Sequence, residues 1–227
     1  LYGLRVIVAA ALLIWYWPAY RELFTGSDDR EAPASGRREP PGNVVDRETH
    51  ESDMPPSKNR LTGTLTRPAR PALLWSWPGV MLGALAFGLW LALTPGTDGT
   101  TGLPEELRTV SVGLAGLWLG LRTLGYLVTA PIAEELAFRG FLMRRFVSAD
   151  FERVPLDRFH WLGFAGSSLL FGLMHGQAWL AALVAGMLFA WAAIRRGNLA
   201  EAIVAHATTN GLNLVYVLVT GDWGRLG

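Results

Sequence analysis

The chain has 227 residues, 51% of them hydrophobic and only 17% charged, with ten Trp and a net charge of +1. A water-soluble core of this size cannot easily hide that much apolar surface, and the near-zero charge predicts no nucleic-acid or other polyanionic partner. The absence of Cys excludes a thiol nucleophile, a disulfide framework and a thiolate metal site.

From Leu4 to Trp17 the chain is apolar with one charge, Arg5, and closes on Trp15, Tyr16, Trp17 and Tyr20. A cleaved signal peptide is the plainer alternative, because Ala9–Ala11 are small. The apolar run continues past them, however, and the aromatic cluster resembles an interface belt. Residues 1–24 are therefore expected to be a retained transmembrane helix. Residues 25–70 hold eight Lys or Arg, eight Asp or Glu and only isolated apolar residues, too few to offset the entropy of ordering. They read as a disordered polar linker, in which His50 is simply solvated, and residues 71–227 as a multi-helix membrane domain.

Leu73 to Leu93 is an uncharged apolar run with Pro78 near its start. Pro104-Glu105-Glu106 has the form of a helix start. The helical pattern from Leu107 to Phe146 would be roughly 60 Å long, about twice a bilayer core, so it must break. The expected break is near Gly120–Gly125, giving an interfacial or re-entrant helix up to about Leu119 and a spanning helix from about Leu121 to Phe146 kinked by Pro131; a break at Pro131 itself, with two full spans, is the competing choice. Three more spans follow, Phe159–His175, Trp179–Ile194 and Leu199–Val219. The fold expected is an all-α membrane protein, a bundle of about six transmembrane helices with the linker after the first. Arg144, Arg145, Arg153 and Arg158 fall in one loop and Arg195-Arg196 in another two spans later, which the positive-inside rule makes cytoplasmic. Counted inward from those ends, Glu134 lies roughly 15 Å deep, His206 roughly 12 Å and His175 roughly 24 Å.

Three polar sets interrupt the apolar segments: Glu134-Glu135 with Arg139, Phe171 with His175, and His206 with Asn210. Ionisable side chains at such depth are expensive and mark function. The four-residue spacing inside each set puts two members on one helix face. A carboxylate beside an imidazole can hold and deprotonate a water, while a second imidazole and a carboxamide can donate to the oxyanion of a tetrahedral intermediate. Adjacent carboxylates in low dielectric cannot both be cheaply ionised unless one is paired. Arg139, four residues after Glu135, is its natural partner, which leaves Glu134 as the base.

These motifs, with the surrounding Ala130-Pro131-Ile132-Ala133-Glu134-Glu135-Leu136-Ala137-Phe138-Arg139-Gly140, resemble the signatures of the CAAX protease and bacteriocin-processing (Abi) intramembrane endopeptidases, over roughly Leu121 to Thr220. The opening helix with Trp17 and Tyr20, and the ending from Tyr216 to Trp223, are similar more narrowly to a bacterial branch associated with exosortase sorting systems. The resemblance implies peptide-bond cleavage in an all-helical membrane fold. It gives water activation to Glu134 and His175, oxyanion stabilisation to His206 and Asn210, and organisation of the site to Glu135 and Arg139. It implies a membrane protein or peptide as substrate, the lipid bilayer and exosortase-system proteins as surroundings, and a bacterial inner membrane as location; family analogy allows prenylated C-termini, peptide precursors or sorting-signal tails, and prenyl processing is not among the expectations.

A Glu and two His could also make a zinc site with an open position, here Glu134, His175 and His206. The metal-free reading is preferred, because Asn210 suits hydrogen bonding better than zinc ligation. The plain alternatives are a helix-stabilising Glu135–Arg139 pair, His175 meeting interfacial water, and His206 and Asn210 as interhelical glue. The leading alternative function is a non-catalytic membrane scaffold or chaperone that holds a partner helix in the same polar cavity; a transporter ranks third, lacking an evident repeat. Gly166-Ser167-Ser168 lacks the pattern of a rhomboid-like serine site, there is no His-Glu-x-x-His motif, and Asp222 has no second Asp. Phe171 is expected to pack, Arg122 to snorkel or pair with a carboxylate, His160-Trp161 and Trp179 to anchor at interfaces, and Gly172, Gly176 and Gly186 to allow close helix contacts.

Overall fold

The computed structural model describes residues 2–24, 76–94, 107 and 109–226. The expected linker with His50, and the expected helix start at residues 104–106, lie outside them. Seven helices follow in chain order: α1 (Tyr2–Trp15), α2 (Trp17–Tyr20), α3 (Trp77–Leu93), α4 (Val112–Arg145), α5 (Trp161–Leu173), α6 (Trp179–Arg196) and α7 (Ala200–Thr220). No strand occurs among the described residues. The protein is an all-α membrane bundle.

Each of the six expected spans holds an apolar helix, but their lengths differ. Long and apolar enough to cross a bilayer are α4, α6 with the turn before it (Gly176–Arg196), and α7. The pair α1 and α2 adds a fourth only if counted as one span, being bent by 67°. Pro18 stands in the first turn of α2, where it cannot continue the ladder of α1. Trp17, Tyr20 and Phe24 pack ring against ring, at centroid separations of 5.1–6.2 Å. The helices α3 and α5 are apolar but only 17 and 13 residues long.

Local sequence accounts for the helix ends. Ser76 caps α3, its hydroxyl accepting the Gly79 N–H at 3.4 Å, and Pro78 sits in the first turn, where its missing N–H has no partner to lose. Ser111 caps α4 in the same way through Leu114. Gly197 and Gly221 end α6 and α7 in the left-handed conformation, at φ 70° and 74°, which glycine adopts without steric penalty.

The break expected near Gly120–Gly125 is corrected: α4 runs unbroken for 34 residues. Breaking it would give up backbone hydrogen bonds that a continuous helix keeps. The helix widens twice instead, into π turns at Gly125–Thr129 and Leu136–Leu142, which keep the backbone bonded around Pro131.

Helix α3 packs most closely on α7, and α5 on α6. Gly79 and Gly83 make the first contact: a Cβ at Gly83 would stand 2.3 Å from the Ala205 carbonyl oxygen and 2.6 Å from Thr208, and Thr209 donates to the Gly83 carbonyl at 3.0 Å. Gly83→Ala must therefore push α3 off α7. The expected loss is about 1–3 kcal/mol, the usual range for overpacking, read as lower accumulation and an earlier unfolding midpoint in detergent. Gly88→Ala, with nothing within 4 Å of its Cβ position, serves as the neutral control.

The two basic loops meet at one end of the bundle, as the charge pattern requires. A Cβ at Gly197 would stand 3.4 Å from Asp157, and Leu199 N–H donates to the Leu23 carbonyl at 2.9 Å. Arg144 is not a free charge in its loop. It is buried and donates to the carbonyls of Val154, Glu152 and Gly140 at 2.6–3.1 Å, which folds the loop back onto α4.

Candidate active site

Consecutive helical residues diverge by about 100°, and that decides what the Glu134-Glu135 pair does. Glu135 turns into the protein and is fully buried, while the Glu134 side chain remains 27% exposed. One oxygen of Glu135, Oε1, accepts two hydrogen bonds, from Arg139 Nη1 at 3.0 Å and from His206 Nδ1 at 2.9 Å. Arg139 is itself fully buried and donates through Nη2 to the Gly186 carbonyl at 2.8 Å. Its guanidinium lies 4.6 Å from the Phe171 ring and within 5.8 Å of Phe138 and Phe189. The charge of Glu135 is thus neutralised at its own helix by a cation held among aromatic faces.

The tautomers of the two histidines follow from their partners. His175 Nδ1 lies 2.7 Å from the Phe171 carbonyl oxygen, which can only accept, so Nδ1 carries the proton and the neutral ring presents a lone pair at Nε2. His206 Nδ1 faces the Arg139-paired carboxylate of Glu135 and donates to it, which leaves Nε2 3.9 Å from Glu134 Oε2. The imidazole of His206 stacks on Phe189, with centroids 4.7 Å apart and planes 16° apart, and meets the edge of Phe171. Asn210, one turn on, donates through Nδ2 to the Tyr126 carbonyl at 2.8 Å. That bond leaves the carboxamide a second N–H.

Glu134, Phe171, His175, His206 and Asn210 all line one cavity of about 790 Å³. Glu135 and Arg139 lie behind its wall. The wall also includes Trp90 and Thr94 at the end of α3, Gln177 between α5 and α6, and Arg225 after α7, so the cavity lies toward the end of the bundle opposite the basic loops. His175, the residue counted deepest from those loops, comes from the last turn before Gly176. Gly176 itself departs from expectation: nothing lies within 4 Å of its Cβ position, and its φ of 58° makes it a turn residue and not a helix contact. Gly172 and Gly186 are close contacts, against Trp179 and Leu183 and against Phe171 and Arg139 respectively.

No three His, Cys, Asp or Glu side chains among the described residues are placed to hold a metal ion. Glu134, His175 and His206 share the cavity without forming such a group. The hydroxyls of Ser167 and Ser168 donate to the Phe164 carbonyl and are buried. Asp222 pairs with Arg225 at 2.9 Å.

Residues 116–212 match the family described as type II CAAX prenyl endopeptidase, Rce1-like. This segment is similar to that family. The Rce1-like segment runs from α4 through most of α7 and contains every motif residue named above. No curated protein and no solved structure gives a significant match to the chain. With several apolar helices and this similarity, the chain is a multi-pass membrane protein.

Sequence reasoning passed over several residues of the cavity wall. Asn213 is buried and donates to the Tyr126 hydroxyl at 2.9 Å and to the Arg225 carbonyl at 3.3 Å. It stands three residues after Asn210 and seven after His206, so the spacing that joined those two would have found it. Trp90, whose ring meets His175 at 5.9 Å, and Arg225, whose Nη1 donates to Thr94 at 2.9 Å, gave no local signal. Arg122 lies over Trp118 at 5.4 Å.

Proposed function

We propose that the protein is an intramembrane endopeptidase that hydrolyses a peptide bond of a membrane-associated protein or peptide. The observation that carries this reading is the convergence of Glu134, His175, His206 and Asn210 on one cavity, with Glu135 and Arg139 buried behind them. Glu134 and the Nε2 lone pair of His175 hold and deprotonate the attacking water. Asn210, through its second N–H, and His206, when Nε2 is protonated, donate to the oxyanion as the tetrahedral intermediate forms. Glu135 and Arg139 are positioning residues. Glu135 fixes which nitrogen of His206 faces the cavity, and Arg139 holds that carboxylate in place.

The finer reading is a bacterial inner-membrane enzyme acting within an exosortase sorting system. It rests on the likeness of the opening helix and the ending from Tyr216 to Trp223, and it makes a sorting-signal tail the preferred substrate. The alternative, a scaffold that holds a partner helix in the same cavity, makes the opposite forecast in one assay. The reconstituted protein is mixed with membrane-anchored candidate peptides, and products are identified by mass spectrometry. Wild type is expected to yield a defined cleavage, and His175→Ala to lower its rate by about a hundredfold or more, the usual contribution of a general base. Capture of the peptides without any cleavage by wild type would establish the scaffold.

A further inference from the structure

Proline inside a helix brings no N–H, and its ring collides with the carbonyl four residues back; for Pro131 that residue is Leu127. Within a bilayer the freed backbone groups must be re-satisfied by neighbouring helices, ordered waters or a local change of helix type. Here α4 absorbs it by widening into the π turn Gly125–Thr129 immediately before the proline. The widening moves one backbone donor. In a plain α-helix the Ala130 N–H would go to the Tyr126 carbonyl, four residues back. In this helix it goes to Gly125, five back.

The Tyr126 carbonyl accepts from the Asn210 carboxamide of α7, at 2.8 Å. The Tyr126 hydroxyl accepts from Asn213, one turn further along α7, at 2.9 Å. The π turn and the catalytic face of α7 are thus tied at both ends of one residue. We infer that Pro131 is a positioning residue for the reaction: by forcing the π turn it turns the Tyr126 carbonyl to Asn210, and so aims the second N–H of that carboxamide into the cavity. The inference rests on the oxyanion role proposed for Asn210. It adds that the role is set from a neighbouring helix, by a residue that does not touch substrate.

Pro131→Ala removes the ring collision and lets the Ala130 N–H turn toward the Tyr126 carbonyl, where even shared occupancy loosens the hold on Asn210. The expected result is a fall in kcat of roughly tenfold, inside the hundredfold or more for losing an oxyanion donor outright, with KM and accumulation little changed. The decisive measurement is a double-mutant cycle. If Pro131 acts through Asn210, then Pro131→Ala costs nothing further in an Asn210→Ala background. Losses that add in the double variant, or a wild-type kcat in Pro131→Ala, overturn the inference while leaving the endopeptidase reading intact. An Asn210→Ala variant with wild-type turnover would instead remove the oxyanion assignment itself, and the role of Pro131 with it. Pro131→Gly provides the second variant, since it also relieves the collision. If neither accumulates in the membrane while Asn210→Ala does, Pro131 determines the fold and does not position the site.

Discussion

Glu134→Gln is expected to insert, accumulate and bind substrate as wild type does, and to cleave at least about a hundredfold more slowly. The substitution keeps the shape of the side chain and the one buried oxygen, but a carboxamide cannot take a proton from water. Its site differs from that of Glu135 in the respect that matters here: the side chain is 27% exposed, and its nearest charged partner, His206, stands at 3.9 Å. The pair with His206 that the change removes is long and lies beside a partly exposed carboxylate, so stability has little reason to move. Binding of a membrane-anchored peptide to the variant, followed by fluorescence, would equal that of wild type, and single-turnover cleavage would be lost. Wild-type turnover in Glu134→Gln would end the assignment of water activation to this residue.

The parts of the site legible in the sequence were those that a helical repeat exposes. Spacings of four placed Glu135 with Arg139 and His206 with Asn210, and both pairs share a face, although the outcome differs. Arg139 holds Glu135 directly, whereas His206 and Asn210 each bond to a different turn of α4. That cross-helix pairing is not written in any local pattern. The same limit explains the misplaced break in α4. Length and glycine content argued for an interruption, but a glycine inside a helix costs only about 1 kcal/mol, less than leaving backbone groups unbonded, and π turns offer a way to keep bonding. Gly176 shows the converse. A glycine needed for its positive φ and a glycine needed for close contact look alike in one sequence, and only the backbone angle separates them.

Arg139→Leu is expected to damage the fold before it damages the chemistry. The guanidinium and the Glu135 carboxylate are both fully buried, and removing one member of such a pair leaves the other as an uncompensated charge, at a typical loss of about 3–5 kcal/mol. Accumulation in the membrane should therefore drop sharply, with the surviving protein unfolding at lower temperature. The test of that cause is to remove the second charge as well. In Glu135→Gln with Arg139→Leu the buried charge is gone, and the carboxamide oxygen can still accept from His206 Nδ1, so accumulation should recover toward wild type. Cleavage should recover only in part, because a neutral acceptor holds the imidazole less firmly than the carboxylate does. If the double variant accumulates no better than Arg139→Leu alone, the loss came from packing, through the Gly186 carbonyl and the three aromatic rings around the guanidinium, and not from an unpaired carboxylate. If it accumulates normally and cleaves at the full rate, then neither Glu135 nor Arg139 positions His206, and the pair is only the means by which α4 carries a charge through the bundle.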